Sequence, residues 1–389
     1  MAVTLTVEFI HSKNVIPVIS SAFDSGAIEV VSLDSSGLTA DCTLRVRKDS
    51  HSDFRQWFHF RLSAAGGLAC TLRFENAGAC TYPEGWKDYR AVASYDRAHW
   101  FRVPTHYDGK VMTIEHTPER DTVWYAYFEP YSHERHQAFI GRAGDSPLAR
   151  IERLGASVEG RDLDLITVRA RHDAPKIIWI IARQHPGESM AEWFVEGLID
   201  RLLDSADPVS RRLLENAVLH IMPNMNPDGS VRGNLRTNAA GANLNREWLN
   251  PSVESSPEVY WVRERMQRTG VHAFFDIHGD EGLPYVFVAG GEMLPGFTPE
   301  QARAQTEFIA NFKRASPDFQ EVHGYPAGKY KEDALKLASK WVGHTFGCLS
   351  LTLEMPFKDN ANLPDARVGW NGERSRKLGA AILEPLLAA

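Results

Sequence analysis

The chain has 389 residues, of which 43% are hydrophobic and 10% aromatic. At roughly 150 residues per domain this length predicts two or three folding units, and the aromatic content argues against long disordered tails. The 50 acidic residues outnumber the 43 basic ones, giving a net charge of −7, and the basic residues form no long run. This excludes the electrostatic footprint typical of a nucleic-acid-binding protein.

The sequence carries few features of export or of membrane insertion. Residues 1–8 lack a basic segment followed by an apolar core, and the densest apolar run, residues 177–182, is too short to cross a bilayer. The four cysteines are too few for a disulfide framework and lack metal-binding spacing. We therefore expect a soluble cytoplasmic protein with reduced thiols and no membrane partner. The sequence leaves the oligomeric state open.

Short segments of alternating polarity fill the first third of the chain. Turn-forming clusters such as Asp34-Ser-Ser-Gly37 and Tyr107-Asp-Gly109 separate them, at the spacing typical of an antiparallel β-sandwich. The predicted strands are residues 43–46, 57–61, 69–74, 98–103, 111–116 and 123–128. This pattern predicts an all-β domain over residues 1–130.

After Pro130 the predicted strands alternate with long helical patterns. Ser132 can cap a helix that runs to about Arg142, and residues 177–182 are apolar on both faces, as a central parallel strand must be. Apolar side chains then recur at helical spacing from Met190 to Leu202. Further apolar strands are predicted at residues 217–222, 272–277 and 349–355. The alternation predicts an α/β domain over residues 131–389.

A histidine and a glutamate three residues apart follow the central strand, in His185-Pro-Gly-Glu188, and Ser189 is predicted to cap the next helix. Ligands bind beyond the carboxyl ends of strands in such sheets, and a pair of this kind can hold one cation. His278 ends another apolar strand and can meet both residues. Two histidines and one glutamate would leave one coordination position of a zinc ion open for water, which is typical of a hydrolytic site. Taken singly, each residue could instead be a structural side chain.

Four further polar residues complete the candidate site. Glu354 ends its strand on the polar face, where it is either a solvated strand terminus or a general base. Arg236, Asn245 and Arg246 lie in predicted loops, where arginine and asparagine can form bidentate bonds with a carboxylate. The alternative is that these side chains are simply solvated.

The order of these motifs resembles the M14 zinc carboxypeptidases and, within them, the cytosolic carboxypeptidases. The motifs are His-Pro-Gly-Glu at 185–188, Asn-Pro-Asp-Gly at 226–229, Gly-Asn-x-Arg ending at Arg236 and Leu-Asn-Arg at 244–246, followed by His278 and Glu354. The match begins near Tyr131, and a preceding β domain is also expected of that subfamily. The resemblance implies a mixed-sheet carboxypeptidase-like catalytic domain preceded by a β-sandwich domain.

The resemblance also implies a role for each site residue. One Zn²⁺ per chain would be bound by His185, Glu188 and His278; Arg236 would stabilise the oxyanion; Asn245 and Arg246 would hold the terminal carboxylate of a peptide or protein; Glu354 would activate the zinc-bound water. The chain departs from many relatives at Asn243, where they have aspartate, and at Asp280, where they have histidine. These departures affect rate and specificity more than the type of reaction.

Residues upstream of Glu354 are expected to line the pocket for the departing side chain. The cytosolic subfamily often places a basic residue there that accepts glutamate, and Lys336 and Lys340 are the candidates here; a solvated helix face is the alternative for each. This predicts a preference for C-terminal Glu or Asp and makes the chain a candidate deglutamylase. No tyrosine stands at the family's spacing for substrate contact, so Tyr330 is the candidate, with Tyr325 close by.

Two other functions remain open from the sequence. A zinc amidohydrolase or deacylase could use the same architecture on a small N-acyl amino acid, and would still act when the C-terminus is blocked. A β-sandwich binding protein whose α/β half has lost turnover is the other alternative. The three intact metal ligands and Glu354 argue against it.

Overall fold

The computed structural model describes residues 16–292, 294, 296–326 and 333–388. The first part of the chain forms two five-stranded sheets, with strand orders β1-β4-β10-β6-β7 and β2-β3-β5-β9-β8. The strands are β1 Val18–Ser20, β2 Glu29–Ser36, β3 Thr39–Arg45, β4 His59–Ser63, β5 Ala69–Phe74, β6 Val92–Ser94, β7 Trp100–Arg102, β8 Thr105–Tyr107, β9 Met112–His116 and β10 Thr122–Ala126.

The two sheets pack face to face around an aromatic core. Phe60 of β4 lies 6.2 Å from Phe74 of β5, ring centre to ring centre, and 5.3 Å from Tyr125 of β10. The predicted sandwich is therefore present, with one correction to its strand directions. Strands β3 and β5 pair in parallel, because the chain between them passes through β4 in the other sheet.

The second part of the chain forms a seven-stranded mixed sheet, in the order β11-β12-β14-β13-β15-β17-β16. Strands β13, β14, β15 and β17 pair in parallel and the others antiparallel. The strands are β11 Ala149–Ala156, β12 Asp162–Val168, β13 Lys176–Ala182, β14 Ala217–Met222, β15 Ala273–Asp280, β16 Phe287–Ala289 and β17 Leu349–Pro356. This arrangement confirms the predicted α/β fold class.

Helices cover both faces of this sheet, which explains why its central strand is apolar on both sides. Ile178 and Ile180 pack in the cluster that contains α2, while Trp179 and Ile181 pack in the cluster that contains α5 and α7. The helices are α1 His133–Gly144, α2 Met190–Leu202, α3 Pro208–Asn216, α4 Pro227–Arg232, α5 Pro257–Thr269, α6 Pro299–Ala315, α7 Ala338–Phe346, α8 Gly372–Ala381 and α9 Leu383–Ala388.

The two predicted helix caps have different outcomes. Ser132 caps α1, since its side chain accepts a hydrogen bond from the backbone N–H of Arg135. Ser189 stands before α2 but is not a side-chain cap. Its hydroxyl instead donates to the backbone carbonyl of Glu129 at 2.8 Å and ties the helix start to the segment that enters the second part of the chain.

Buried polar contacts join the sandwich to the mixed sheet. Arg102 of β7 donates to the backbone carbonyls of Phe357, Trp370 and Val368 at 2.9, 3.0 and 3.1 Å. Tyr127 stacks on Phe357 with ring centres 4.5 Å apart. Since an unpaired buried guanidinium is strongly destabilising, these carbonyl contacts hold the two parts of the chain together. In the described part of the chain, no helix is both long and apolar enough to cross a membrane.

Candidate active site

Three buried side chains with ligand atoms suited to a metal meet at the carboxyl ends of β13 and β15. The Nδ1 atoms of His185 and His278 each lie 2.7 Å from a different oxygen of Glu188. One ligand atom from each residue lies within 4.8 Å of the others. His185 and Glu188 come from the turn between β13 and α2, and His278 from the end of β15. The structure thus brings together the three residues predicted from the sequence.

The other ring nitrogens of both histidines are held by hydrogen bonds. Nε2 of His185 lies 3.0 Å from Oδ1 of Asn243, and Nε2 of His278 lies 2.9 Å from Oδ2 of Asp276. With a metal at the shared position, each Nε2 would carry the proton and donate to these oxygens, and the Nδ1 lone pairs would face the metal, as in sites whose ligands are oriented by outer carboxylates and amides. Burial lowers the pKa of His185 to about 3, which keeps its imidazole neutral and able to bind a metal.

The turn that carries His185 begins at a buried arginine in a left-handed conformation. Arg183 has φ of 58° and donates to the Pro186 carbonyl at 2.9 Å and to Glu192 at 2.6 Å. Glu192 also contacts Nδ1 of His136 at 2.5 Å, and Nε2 of His136 lies 3.2 Å from Asp164. The backbone of a residue other than glycine is strained at such a φ. The contacts of Arg183 offset this strain and hold the turn in place.

Glu354 lies beside the histidine cluster because β15 and β17 pair in parallel, with His278 opposite Glu354. Its Oε2 atom is buried and has no hydrogen-bond partner among the described residues, and its Oε1 atom lies 3.0 Å from the hydroxyl of Tyr325. That hydroxyl is also 2.7 Å from Oδ2 of Asp280. Burial, with repulsion from Glu188 and Asp280, raises the pKa of Glu354 to about 8. A divalent cation nearby would lower that pKa and favour the carboxylate.

Arg236 reaches the cleft from a loop that the sandwich holds. The carboxylate of Asp49 accepts hydrogen bonds from the backbone N–H groups of Leu235, Arg236 and Thr237 at 2.6, 2.7 and 3.0 Å. The Arg236 guanidinium lies 5.7 Å from the ring centre of Phe54 and 5.5 Å from that of Tyr82. The position of this arginine therefore depends on residues of the sandwich.

Asn245 and Arg246 lie in a short 3-10 helix, Leu244–Arg246, on another side of the cluster. Oδ1 of Asn245 accepts a hydrogen bond from the backbone N–H of Ala338 at 2.9 Å, and its Nδ2 lies 3.3 Å from Nε2 of His278. One nitrogen of Arg246 donates to the Asn245 carbonyl at 2.7 Å. Both side chains line the cleft, together with His185, Glu188, His278 and Glu354.

The lysines and tyrosine predicted for substrate contact lie in different places. Lys340 lines the cleft, half-buried in the first turn of α7. Lys336 does not: its ammonium pairs with Asp333 at 2.8 Å, and its side chain is 48% exposed. The sequence shows a dense run of lysines but not which of them form ion pairs with neighbouring residues. Lys336 forms such a pair on the surface and is not part of the cleft wall. Tyr330 lies outside the described residues.

Other residues of the site were not predicted from the sequence. Asp276 could have been found, because it stands two residues before His278 and so shares its strand face. Tyr325 was noted only as close to the expected spacing. Asp49 had no usable signal, since its contact with Arg236 spans 187 residues. Glu281 stands three residues after His278 and is the next candidate base after Glu354, but its burial was not predicted.

A buried cluster of two histidines and a glutamate at the carboxyl edge of a mixed sheet, beside the buried Glu354, is typical of a metallopeptidase site. Comparison with protein families agrees. Residues 142–369 match the zinc carboxypeptidase family and residues 19–128 match the cytosolic carboxypeptidase N-terminal domain. The chain belongs to the zinc carboxypeptidase family and is a peptidase of that family.

Solved structures and curated sequences give the same relationship. A metallo-carboxypeptidase from Burkholderia cenocepacia is 64% identical, with a TM-score of 0.93 over 95% of this chain and 98% of its own. One from Pseudomonas aeruginosa, in complex with (2-guanidinoethylmercapto)succinic acid, is 47% identical, with a TM-score of 0.91 over the same shares. Mouse cytosolic carboxypeptidase 6 is 28% identical over 88% of this chain and 68% of its own length.

Proposed function

We propose that the protein is a zinc-dependent carboxypeptidase that hydrolyses the last peptide bond of peptides or proteins. The observation that supports this most is the cluster of His185, Glu188 and His278, whose ligand atoms lie within 4.8 Å of one another in the cleft that Glu354 also lines. The donor set of two imidazoles and a carboxylate suits Zn²⁺ and leaves room for water and substrate. When bound there, zinc would supply a more acidic water and a polarised carbonyl.

The side chains of the cleft have distinct tasks in this proposal. Arg246 and Asn245 bind the terminal carboxylate, which fixes the scissile bond relative to Glu354. Glu354 accepts a proton from the attacking water and passes it to the leaving amine, with Tyr325 holding its Oε1 oxygen. Arg236 stabilises the negative charge that develops on the carbonyl oxygen.

Lys340 supports a preference for an acidic terminal residue. It lines the cleft near the Asn245 side, next to Ser339 and Thr352, which also line it. Its ammonium forms no ion pair with a described residue, and burial lowers its pKa, which the attraction of Glu292 offsets only in part. A Glu or Asp side chain would supply a closer counter-charge, while Lys or Arg would add a like charge.

Matched peptides that differ only in the last residue test both parts of the proposal. We expect release of Glu and Asp to exceed release of Leu, Phe, Lys and Arg, and Lys340→Met to reduce that preference. Lys336→Met is the matched control and should leave the preference unchanged. Faster release of Leu or Lys than of Glu would reject the acidic preference. Equal hydrolysis of peptides with an amidated C-terminus would instead favour an amidohydrolase.

A further inference from the structure

The contacts around the metal-binding cluster divide the cleft into two sides. On one side, Asn245 is bonded to the start of α7, which also carries Lys340. On the other side, the sandwich contributes Tyr82 and Glu84 to the cleft wall, and the loop after β15 contributes Glu281. If the terminal carboxylate lies at Arg246, as the proposed function states, the residue before the scissile bond lies on the side of Arg236 and Glu281.

Glu281 is a buried carboxyl group that the proposed mechanism does not use. It is 6% exposed and lines the cleft, and its buried Oε1 atom has no hydrogen-bond partner in the part of the chain that the structure describes. Within the described residues no lysine, arginine or histidine lies within ion-pair distance of it. Burial and repulsion from Glu188 outweigh the attraction of the Arg236 guanidinium and raise its pKa well above the usual range. A cation that a ligand brings close would lower that pKa and favour the ionised carboxylate.

The sandwich holds Glu281 in this position. A Cβ atom added at Gly85 would come within 3.0 Å of the Glu281 carbonyl oxygen and 3.1 Å of its Cβ, so the two segments are in close contact. The neighbouring Glu84 is exposed and lines the same wall. One buried and one exposed carboxylate therefore lie on the side from which the rest of the substrate chain must enter.

We propose that Glu84 and Glu281 form an acidic subsite for a cationic group on the residue that precedes the scissile bond. This inference deepens the proposed function and rests on it. The cationic group can be the side chain of Lys or Arg in that position, or the free amino terminus of a dipeptide. Both bring a positive charge to the cleft wall that Glu84 and Glu281 line, whereas a glutamate there would add a like charge beside the exposed Glu84.

Kinetic comparison of two small substrate sets tests the subsite. The first set is N-acetyl-Ala-X-Glu with X as Lys, Gln or Glu. The second set is the dipeptide Ala-Glu with a free or an acetylated amino terminus. We expect kcat/KM to be about tenfold higher for X = Lys than for Gln, and lower still for Glu. A higher value for free than for acetylated Ala-Glu would show that the amino terminus is also accepted.

Glu281→Gln and Glu84→Gln should bring the Lys-to-Gln ratio of kcat/KM towards one. The ratio is taken within each variant, so a loss of active enzyme does not affect it. Glu115→Gln removes the same charge from an exposed strand position of the sandwich and should leave the ratio unchanged. Hydrolysis by the wild type without any preference at X, or a preference that survives both cleft variants, would overturn the subsite. Failure to release any terminal residue would instead overturn the proposed function.

Discussion

Asp49 accepts a hydrogen bond from the backbone N–H of Arg236 at 2.7 Å, so a carboxylate of the sandwich fixes a residue of the catalytic cleft. The same carboxylate accepts from Leu235 and Thr237, which leaves the loop little freedom. Asparagine offers one acceptor oxygen in place of two and cannot satisfy these donors. Replacing Asp49 therefore tests directly whether the sandwich contributes to turnover.

Asp49→Asn should lower kcat by about tenfold while zinc content is retained, because Arg236 acts on the charge of the transition state. Steady-state kinetics and metal analysis of the purified variant measure both quantities. In a double-mutant cycle with Arg236→Ala the two losses should not add, since both remove the same interaction. Asp53→Asn, at an exposed position nearby, is the control. A kcat equal to that of the wild type would show that this contact of the sandwich does not affect catalysis.

Replacing a metal ligand should empty the site. His185→Ala or His278→Ala removes one of three ligands, so zinc content should fall from about one per chain by orders of magnitude. Elemental analysis after dialysis against a weak chelator measures this. His116→Ala, at a histidine of the sandwich that contacts Tyr125, should retain its zinc. Unchanged metal content in both ligand variants would place the metal elsewhere.

Glu354→Gln should separate metal binding from turnover. The change removes a proton acceptor but no ligand, so zinc should be retained while kcat falls by at least about a hundredfold. Tyr325→Phe should lower kcat less, because it removes the hydroxyl contacts to Glu354 and Asp280 but leaves the proton acceptor in place. Near-normal activity of Glu354→Gln would move the base to another carboxyl group, of which Glu281 is the next in the cleft.

Arg236 and Arg246 should differ in their kinetic effect. Loss of an oxyanion donor acts on the transition state, so Arg236→Ala should mainly lower kcat. Loss of a carboxylate contact acts on binding, so Arg246→Ala should mainly raise KM for substrates with a free C-terminus. The measurement is a full steady-state analysis of both variants on one peptide. The same change in kcat and KM for both would refute this division of roles.

The buried His136 should make stability depend on pH. Burial opposes its protonation, but Glu192 and Asp164 outweigh this and raise its pKa from 6.5 to about 9. Its contribution is therefore complete below pH 6.5 and lost as the pH rises through about 9. The difference in melting temperature between wild type and His136→Gln should be largest near pH 6 and shrink by about pH 10. His172→Gln, at an exposed position, should show no such trend.

The meeting of the candidate metal cluster with Glu354 was predictable because these residues stand at the ends of apolar strands. Parallel strands end at one edge of a sheet, so His185, His278 and Glu354 had to meet there once the strands were recognised. The order of the sheet, the parallel pairing of β3 with β5 and the correction of Lys336 were not predictable. Each depends on a partner that only the folded chain supplies, such as Asp333 for Lys336.

The contact between Gly85 and Glu281 has a consequence for how this enzyme could change its substrates. One wall of the cleft is built by loops of the sandwich, while the candidate metal cluster and Glu354 stand at the edge of the mixed sheet. Substitutions in the segment around Tyr82 and Glu84 can therefore alter which chains enter without disturbing the reacting groups. Selection for a new substrate would act first on these loops, and a library of variants restricted to them is the shortest experimental route to altered selectivity.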